Sequence, residues 1–578
     1  MRKSPAFALT AIFTIALGVG ATTAIYTLIH QVMMRELPVD HPEQLWKIGK
    51  EDECCNDGGL QGDWRIFSYD LYNYFRDNTP GFQSLAAFQA GQTGFNVRRA
   101  GDKSPVEPIT GRYVSGNYFS TLGVPVLVGR AISAEDDRDG SPAVAVVSYR
   151  LWQRKFGLDR ALIGSTLMLN GKAVTVVGVT APAFYGEQLN NDPPEMWLPL
   201  HQEPVLTTTW TLLKNPQRNW LDLIGRVRPG THPQQIEAQL RVELRQWLQT
   251  QAGQFRPDER AQFGQQTTEL ASAASGVNII RDRYQSGLHM LFAVAGIVLL
   301  IACANVANLM LVRGMNRRQE TAVRAALGAS RRKLVSQMLV ESIVLSVIGG
   351  FVALFFSIAA ARLIIALVFR DAKFVPIDAH PSLPVLGFTF LVAVATGILF
   401  GCAPAWLASH TQPAEALRGN ARSTKGGSTL PQKVLIIVQA GLSVVLLCCA
   451  GWLALSLRNL WHQHYGFDSD SVMVVSVDPA LAGYKVAQLP MLYQRIHEKL
   501  RAIPGAEGDS YAMYTPMSHD NWSNDVAIPG QPPPDPNSTW YNASWLRIGP
   551  DYFKTLGAKL ISGRPILDTD TEQAQRVA

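Results

Sequence analysis

The sequence predicts an α-helical membrane protein with five transmembrane helices and mixed α/β (α+β) extracytoplasmic domains. Charged residues make up only 17% of the 578 residues, whereas they make up about a quarter of a typical soluble protein. The deficit is concentrated in five long apolar runs, and the stretches between them have the composition of ordinary globular sequence. Each run is long enough for the roughly 20 residues that a membrane-spanning helix needs.

The five predicted spans carry no acidic residue near their centres. Glu341 lies near one end of the third span and Arg362 near the other, where a long side chain can reach the membrane surface. The first span follows Arg2 and Lys3 and could be a signal peptide, but its apolar region is too long and no clear cleavage site follows, so we expect an uncleaved helix. The spans cover residues 6–30, 288–312, 334–368, 383–409 and 434–457.

The distribution of Lys and Arg predicts the orientation of the spans. The loop between the second and third spans is strongly basic, with Glu320 as its only acid, and the loop between the fourth and fifth spans is also basic. Both loops are therefore expected in the cytoplasm, together with the N-terminus. This places residues 31–287 and everything after about residue 458 on the outside of a multi-pass protein of the inner (plasma) membrane.

The region after the first span reads as an α/β domain. Helices are expected over 70–78 and 149–156, and Val-rich strands over 142–148 and 172–179. Residues 233–250 read as an amphipathic helix, because five large apolar side chains recur on one face. Those five are Ile236, Leu240, Leu244, Trp247 and Leu248.

A long-range repeat indicates that the chain is a tandem duplication. Residues 114–123 contain Tyr-Phe-x-Thr-Leu-Gly, which recurs at 548–557, and the match continues from Gly129-Arg130 to Gly563-Arg564 and from Asp136 to Asp570. The spacing is 434 residues throughout, and we expect the same spacing to relate the first span to the fifth. The second copy stops opposite the predicted strand of the first copy, so we expect a C-terminally truncated chain that lacks three further spans.

These patterns predict five segments. They are a first transmembrane helix (1–33), an outer domain (34–285), a membrane domain with three transmembrane helices (286–430), a transmembrane helix that opens the second copy (431–460) and an incomplete second outer domain (461–578).

The basic loop after the second span reads as a short helix that ends at a glycine. Val323 and Leu327 lie four residues apart on one face, and Gly328 suits a left-handed helix end. Ser330 is then placed to cap the third span.

The motif set resembles the MacB/FtsX-type ABC transporter permeases. Glu-x-x-x-Arg-x-Ala-Leu-Gly-Ala-Ser over 320–330 is similar to the signature loop of that family, and the Tyr-Phe-x-Thr-Leu-Gly and Gly-Arg pattern is similar to the MacB-type periplasmic core domain. The doubled arrangement resembles the duplicated permeases of the acidobacterial type. Such permeases usually have an amphipathic stretch before the first span. Only five residues precede residue 6 here, so Met1 is expected to be a late start.

The resemblance implies that the cytoplasmic loop docks on a separate ABC ATPase, whose nucleotide-driven closure moves the spans and the outer domains. The other expected partners are the lipid bilayer and a periplasmic adaptor or substrate protein. No cofactor is expected. By position, the ATPase-coupling residues are Arg317, Arg318, Glu320, Arg324, Leu327 and Gly328.

The sequence lacks the motifs of several common activities. It contains no Gly-x-x-x-x-Gly-Lys-[Ser/Thr] phosphate loop, so the chain is not expected to hydrolyse ATP, and it has no His-Glu-x-x-His, no Gly-x-Ser-x-Gly and no nucleic-acid-binding motif. Adjacent Cys54 and Cys55 fit an ordinary loop better than a metal or redox site, because no second ligand pair stands at zinc spacing. His462 and His464 read as interfacial residues.

Two features within the spans read as packing determinants. Asn305 and Asn308 share a face of the second span and are expected to contact another helix rather than a substrate. Gly18 and Gly20 are expected to allow close packing of the first span.

Three functions are consistent with the sequence. The first is a permease for export or extrusion, driven by a separate ATPase. The second is an FtsX-like membrane regulator that signals to an extracytoplasmic partner without transporting anything. The third is a permease with no dedicated ATPase. The sequence contains no motif that identifies a substrate.

Overall fold

The protein is described here by a computed structural model, which divides into two compact units. One unit contains Met1–Pro38, Ala183–Pro193 and Ala273–Leu457, and the other contains Val39–Pro182, Pro194–Ser272 and Arg458–Ala578. The structure describes residues 5–50, 57–99, 107–188, 192–207, 211–277, 279–316, 330–370, 374–409, 430–468, 470–479, 484–516, 522–526, 542–570 and 574.

Helices occur in both units. Listed in chain order, those of the described residues are α1 (Pro5–Ile29), α2 (Tyr69–Asn78), α3 (Tyr118–Leu122), α4 (Tyr149–Phe156), α5 (Glu203–Leu206), α6 (Pro233–Thr250), α7 (Pro257–Arg260), α8 (Ile279–Asn316), α9 (Arg331–Val368), α10 (Leu383–Ser409), α11 (Leu430–Trp461), α12 (Leu489–Arg501) and α13 (Tyr552–Thr555).

Four helices are long and apolar enough to cross a membrane. The qualifying segments are Pro5–Met34, Gln285–Arg313, Val335–Val368 and Lys433–Trp461, and they match four of the five predicted spans. The fourth predicted span is a helix, α10, but its described apolar part covers only Leu383–Leu399. The described residues thus contain four candidate spans, and the fifth stays a prediction.

The first helix packs closely against its neighbours through glycines, as predicted. A side-chain carbon added at Gly18 would lie 3.0 Å from Cβ of Ala302 in α8. One added at Gly20 would lie 3.1 Å from the backbone oxygen of Ala353 in α9. Larger residues at either position would force the helices apart, so the glycines set the interhelical spacing.

All strands among the described residues lie in the second unit. Listed in chain order, those of the described residues are β1 (Leu45–Ile48), β2 (Asp57–Gly58), β3 (Phe82–Gln89), β4 (Thr93–Arg99), β5 (Glu107–Val114), β6 (Val126–Gly129), β7 (Val144–Val147), β8 (Thr166–Leu169), β9 (Lys172–Thr180), β10 (Met196–Pro199), β11 (Arg218–Asn219), β12 (Leu221–Val227), β13 (Leu270–Ser272), β14 (Ser523–Asp525) and β15 (Asn542–Ser544).

The main sheet has an open part and a closed part. The strand order is β10-β7-β9-β8-β4-β5-β3-β12-β1-β13, with β6 added beside β9. Strand β10 also pairs in parallel with β5, so that six strands (β5, β10, β7, β9, β8 and β4) close into a ring. The buried core that fills this domain includes Trp64, Phe67, Phe75, Phe95, Tyr113 and Trp220.

The predicted elements of the outer domain are confirmed. Helix α4 covers the predicted residues, and the Ser148 hydroxyl caps it by accepting from the Leu151 amide at 3.0 Å. Helix α6 also has the predicted bounds, and its buried residues are the five that the periodicity selected. The strands differ from prediction only at their ends, since β7 is shorter and β9 is one residue longer than expected.

The second-copy region, Arg458–Ala578, has little buried structure among its described residues. Met473 is 88% exposed and Ile561 is 96% exposed, whereas the first outer domain buries residues throughout its main sheet. The paired strands described in this region are β14 and β15, which form a two-stranded sheet.

Candidate coupling site and the repeated motif

The predicted coupling residues lie outside the described part of the chain. Arg317, Arg318, Glu320, Arg324, Leu327 and Gly328 all fall between the end of α8 at Asn316 and the N-terminal residue of α9 at Arg331. Their role therefore stays a prediction. The structure does describe the two helix ends that hold this loop.

An ion pair joins the last turn of α8 to α9, ten residues after the first residue of α9. Nη1 of Arg313, in the last turn of α8, lies 2.9 Å from Oε1 of Glu341 in α9, and the side chains are 13% and 29% exposed. The guanidinium carbon of Arg313 also lies 4.5 Å from the ring centroid of Phe7 in α1. A partly buried ion pair with a cation–π contact resists separation more than an exposed pair does. We call Arg313, Glu341 and Phe7 the Arg313 cluster.

Sequence reasoning missed the Arg313 cluster, although its signal was present. Glu341 is the acid noted at the end of the third span, and an acid there needs a nearby cation. Arg313 was counted as one of several basic loop residues that set the orientation. Pairing the two requires the crossing of α8 and α9, which is not visible in the sequence.

The predicted cap of α9 is confirmed in position only. Ser330 is the N-cap residue with an extended backbone, but its side chain makes no capping hydrogen bond. The described interaction there is a turn in which the Lys333 amide donates to the Ser330 carbonyl at 2.9 Å.

The Gly-Arg and Asp residues of the sequence repeat form a bidentate ion pair. Arg130 donates from Nη1 and Nη2 to the two carboxylate oxygens of Asp136, at 2.6 and 2.8 Å. The Ser133 amide donates to the same carboxylate at 2.8 Å. Hydrogen bonding from Arg130 is the main cause that lowers the pKa of Asp136 to about 2.

The second copy forms the same ion pair. Arg564 donates to Asp570 at 2.7 and 2.8 Å, and the Leu567 amide donates to that carboxylate at 2.9 Å. The pKa of Asp570 is lowered to about 2, again mainly by hydrogen bonding from the arginine. Each of these residues lies 434 positions after its counterpart, so the repeated sequence folds into the same local structure twice.

The spacing of 434 does not extend to the start of the outer domains. Asp40 contacts the left-handed Gly123, and its amide donates to the Gly123 carbonyl at 3.3 Å. In the second copy Asp468 contacts the left-handed Gly557 in the same way, with its amide 2.8 Å from the Leu556 carbonyl. Asp468 lies 428 positions after Asp40. The expectation that one spacing relates the two first spans is therefore wrong by six residues.

A partly buried histidine and its aspartate partner tie three segments of the first outer domain together. Nδ1 of His201 lies 2.9 Å from Oδ1 of Asp137, and the Gly116 amide donates to Oδ2 of the same carboxylate at 2.9 Å. The ring of His201 also packs edge-on against Tyr69. Hydrogen bonding to Asp137 is the main cause that raises the pKa of His201.

The remaining candidates show no sign of metal chemistry in the described residues. No group of three or more His, Cys, Asp or Glu side chains could hold a metal ion within them. His462 and His464 are exposed beyond the end of α11, as expected for interfacial residues. Cys54 and Cys55 lie outside the described residues, so their role is untested.

The amide pair in the second span contacts another helix, as predicted. Asn305 and Asn308 of α8 both make hydrogen bonds to Gln439 of α11. This result supports a packing role for these two residues.

Two protein families match the sequence. Residues 8–243 match the MacB-like periplasmic core domain, and residues 292–413 match the FtsX-like permease C-terminal domain. The chain thus contains the two kinds of domain found in MacB/FtsX-type ABC permeases. The first match covers the main sheet from β1 to β12, and the second covers most of α8 together with α9 and α10. Proteins of this family are inner-membrane proteins with periplasmic domains.

The curated relatives of this permease are export proteins. It is 28% identical over 311 residues to the "Pyoverdine export ATP-binding/permease protein PvdT" of Pseudomonas syringae pv. tomato. It is 27% identical over 308 residues to the "Macrolide export ATP-binding/permease protein MacB" of Salmonella typhi. Each alignment covers 53% of this chain and 42% of the relative, so the permease spans less than half the length of these relatives.

A solved structure of the periplasmic region of MacB from Actinobacillus actinomycetemcomitans is also similar. It covers 43% of this chain and 92% of its own, at 12% identity and a TM-score of 0.28. A TM-score this low supports no further argument.

Proposed function

We propose that the chain is the permease subunit of an ABC-type export system and couples a separate ATPase to motion of its outer domains. The observation that carries the proposal is the pair of matched domains, in a chain whose relatives are named for export. Those relatives are named ATP-binding/permease proteins, whereas this sequence has no phosphate loop. In this proposal ATP hydrolysis is supplied by a separate subunit. The regulatory alternative gains no support from these names.

The coupling loop, residues 317–328, would dock on the ATPase. Its basic residues and the apolar pair Val323 and Leu327 suit a helix that presents one apolar face to a groove. The Arg313 cluster supports this role because it ties the end of α8 that leads into the loop to both α9 and α1. A force applied to the loop would then move three helices together rather than unwind one helix end.

The proposal also includes a topology and a duplicated architecture. A loop that docks on an ATPase must face the cytoplasm, in agreement with its excess of Lys and Arg. With five spans, both outer regions would then lie on the periplasmic side. The Arg130–Asp136 and Arg564–Asp570 pairs support a tandem duplication, since a shared local structure at a constant spacing is expected from one.

Co-purification tests the coupling loop directly. The full chain carrying an affinity tag is purified from its native membranes, and bound proteins are identified by mass spectrometry. Leu327→Asp places a charge on the apolar docking face, so we expect loss of a phosphate-loop ATPase that the unaltered chain retains.

Leu158→Asp is the matched control. Leu158 is an exposed leucine of the outer domain with a left-handed backbone (φ 62°), a conformation that Asp tolerates well. This variant should retain the ATPase fully. Full retention of the ATPase by Leu327→Asp would show that residues 317–328 are not the coupling loop.

A further inference from the structure

Three amide side chains form a hydrogen-bonded cluster between two apolar helices. Nε2 of Gln439 in α11 donates to Oδ1 of Asn305 in α8 at 2.6 Å. Nδ2 of Asn308 donates to Oε1 of Gln439 at 3.4 Å. Asn305 and Asn308 lie three residues apart and therefore share one face of α8. We call these three residues the amide cluster.

The amide cluster lies within the membrane-spanning parts of both helices. Asn308 precedes Arg313 by five residues and Gln439 follows Lys433 by six, and these two basic residues bound the apolar segments. At about 1.5 Å of rise per residue, both amides lie about 8 to 9 Å inside the span. The hydrogen bonds themselves show that the three side chains lie at one level.

Amides at this depth have few alternative partners. Hydrocarbon offers no hydrogen bond, and the rest of both segments is almost entirely apolar. Separating α8 from α11 would leave three polar side chains in lipid. A polar contact in a membrane therefore specifies which helices pair, even where its contribution to affinity is modest.

The first copy does not carry the glutamine. The contacts of Asp40 and Asp468 relate the two copies at this end by 428 residues, and this spacing places Ala11 opposite Gln439. The helix ends agree, since the first span ends at Met34 and α11 ends at Trp461. Ala11 is fully buried in a small cluster with Val306 and Ala353. Helix α1 therefore cannot complete the amide cluster.

We propose that the amide cluster is the intramembrane interface that pairs the two halves of the chain and selects α11 rather than a second copy of α1. The partner that fits the Asn305 and Asn308 face is the first span of the second half, because this span has a glutamine where α1 has Ala11. Because α1 has Ala11 where α11 has Gln439, the Asn305 and Asn308 face can form these hydrogen bonds with α11 and cannot form them with α1. This inference does not depend on the identity of the ATPase.

Cleavage between the halves tests the interface in the assembled protein. A protease site is introduced into residues 410–429 of the full chain, which is purified in mild detergent and then cut. The two fragments of the unaltered protein should stay together. Gln439→Leu should weaken their association by a factor of about 3 to 20, the range found for hydrogen bonds between membrane helices.

Ser456→Leu is the matched control, since it removes a polar group from an exposed position of the same helix. It should leave the association within twofold of the unaltered protein. Asn305→Leu combined with Gln439→Leu should weaken the association no more than Gln439→Leu alone, because that change already removes the hydrogen bond to Asn305.

A reciprocal exchange separates a pairing defect from a folding defect. Asn305→Gln with Gln439→Asn keeps one long and one short amide, so the association should return to within about threefold of the unaltered protein. Loss of less than twofold in Gln439→Leu would overturn the proposal. So would a double variant whose effect equals the product of the two single effects, or no recovery on exchange.

Discussion

The two outer regions contain the same motif in different surroundings. In the first copy Tyr118 and Phe119 are fully buried, and Phe119 packs edge-on against Trp197. In the second copy Phe553 is 37% exposed, and the Gly-Arg and Asp residues form the same ion pair. The comparison shows that hydrogen bonds and left-handed glycines set the local shape of the motif, whereas burial depends on distant strands.

The largest expected difference between the copies is in side-chain burial. Phe119→Ala should destabilise the first outer domain by about 3 to 5 kcal/mol, because it opens a cavity in a closed core. The equivalent change Phe553→Ala should cost no more than about 1 kcal/mol, because its ring is partly solvated. Hydrogen exchange of peptides around each site in the full chain measures both. Equal losses of protection would contradict the comparison.

A matched pair of glycines should show the next largest difference. Gly129 and Gly563 both have left-handed backbones, with φ of 81° and 86°. An added Cβ at Gly129 would collide with the Val177 carbonyl of β9, whereas at Gly563 it would meet no atom within 4 Å. Gly563→Ala should cost about 1 to 2 kcal/mol of backbone strain.

Gly129→Ala should cost about 1 to 3 kcal/mol more than that, because β6 must shift away from β9. Hydrogen exchange at Val126–Gly129 reports the shift. A cost at Gly129 equal to that at Gly563 would show that the β6–β9 pairing does not constrain the motif.

The ion pair should behave alike in the two copies, in contrast to the side chains whose burial differs between them. Arg130→Ala should cost about 1 kcal/mol at neutral pH, since the arginine is half exposed and solvent screens the pair. Because the folded pKa of Asp136 is depressed, its contribution is present above the unfolded value of about 3.9 and is lost as the pH falls to about 2.

Asp570 should titrate over the same range, because its partner and its backbone donor are equivalent. Carbon-13 chemical shifts of Asp carboxyls, assigned with Asp136→Asn and Asp570→Asn, measure both titrations. A normal titration of Asp570 beside a depressed one of Asp136 would show that the distant strands are needed for the ion pair.

The smallest effect concerns pH dependence near neutrality and should occur in the first copy only. The pKa of His201 is raised, so its stabilising contribution is complete below the unfolded value of about 6.5 and is lost as the pH rises through the folded pKa. Position 571, opposite Asp137, is a threonine and offers no carboxylate. His201→Gln should flatten the decline of stability above neutral pH in hydrogen exchange of Leu200–Gln202. An unchanged decline would remove His201 as its cause.

Local features of the fold were predictable from the sequence, and distant pairings were not. Helix α4 was predicted to the residue because Ser148 and Gly157 mark its ends, and α6 was predicted because five apolar residues follow the helical period. The parallel pairing of β10 with β5 joins residues more than 80 positions apart, and no local pattern indicates it.

The candidate site likewise contains features that the sequence shows and contacts that it does not show. The basic loop was recognisable because its residues are contiguous. The ion pair of Arg313 with Glu341 and the contact of Gln439 with Asn305 depend on helix crossings. The spacing error of six residues arose because the sequence match near Tyr118 was extended to the first span, where only contacts of Asp40 and Asp468 reveal the true correspondence.

Site-specific photo-cross-linking from the coupling loop tests the account most directly. A photoreactive residue is placed at position 327 of the full chain in its native membranes, and a second version carries it at position 158. We predict that ultraviolet light joins position 327, but not position 158, to a protein whose peptides contain a phosphate loop. An adduct with such a protein at position 158, or none at position 327, would contradict the proposal that residues 317–328 couple this permease to an ATPase.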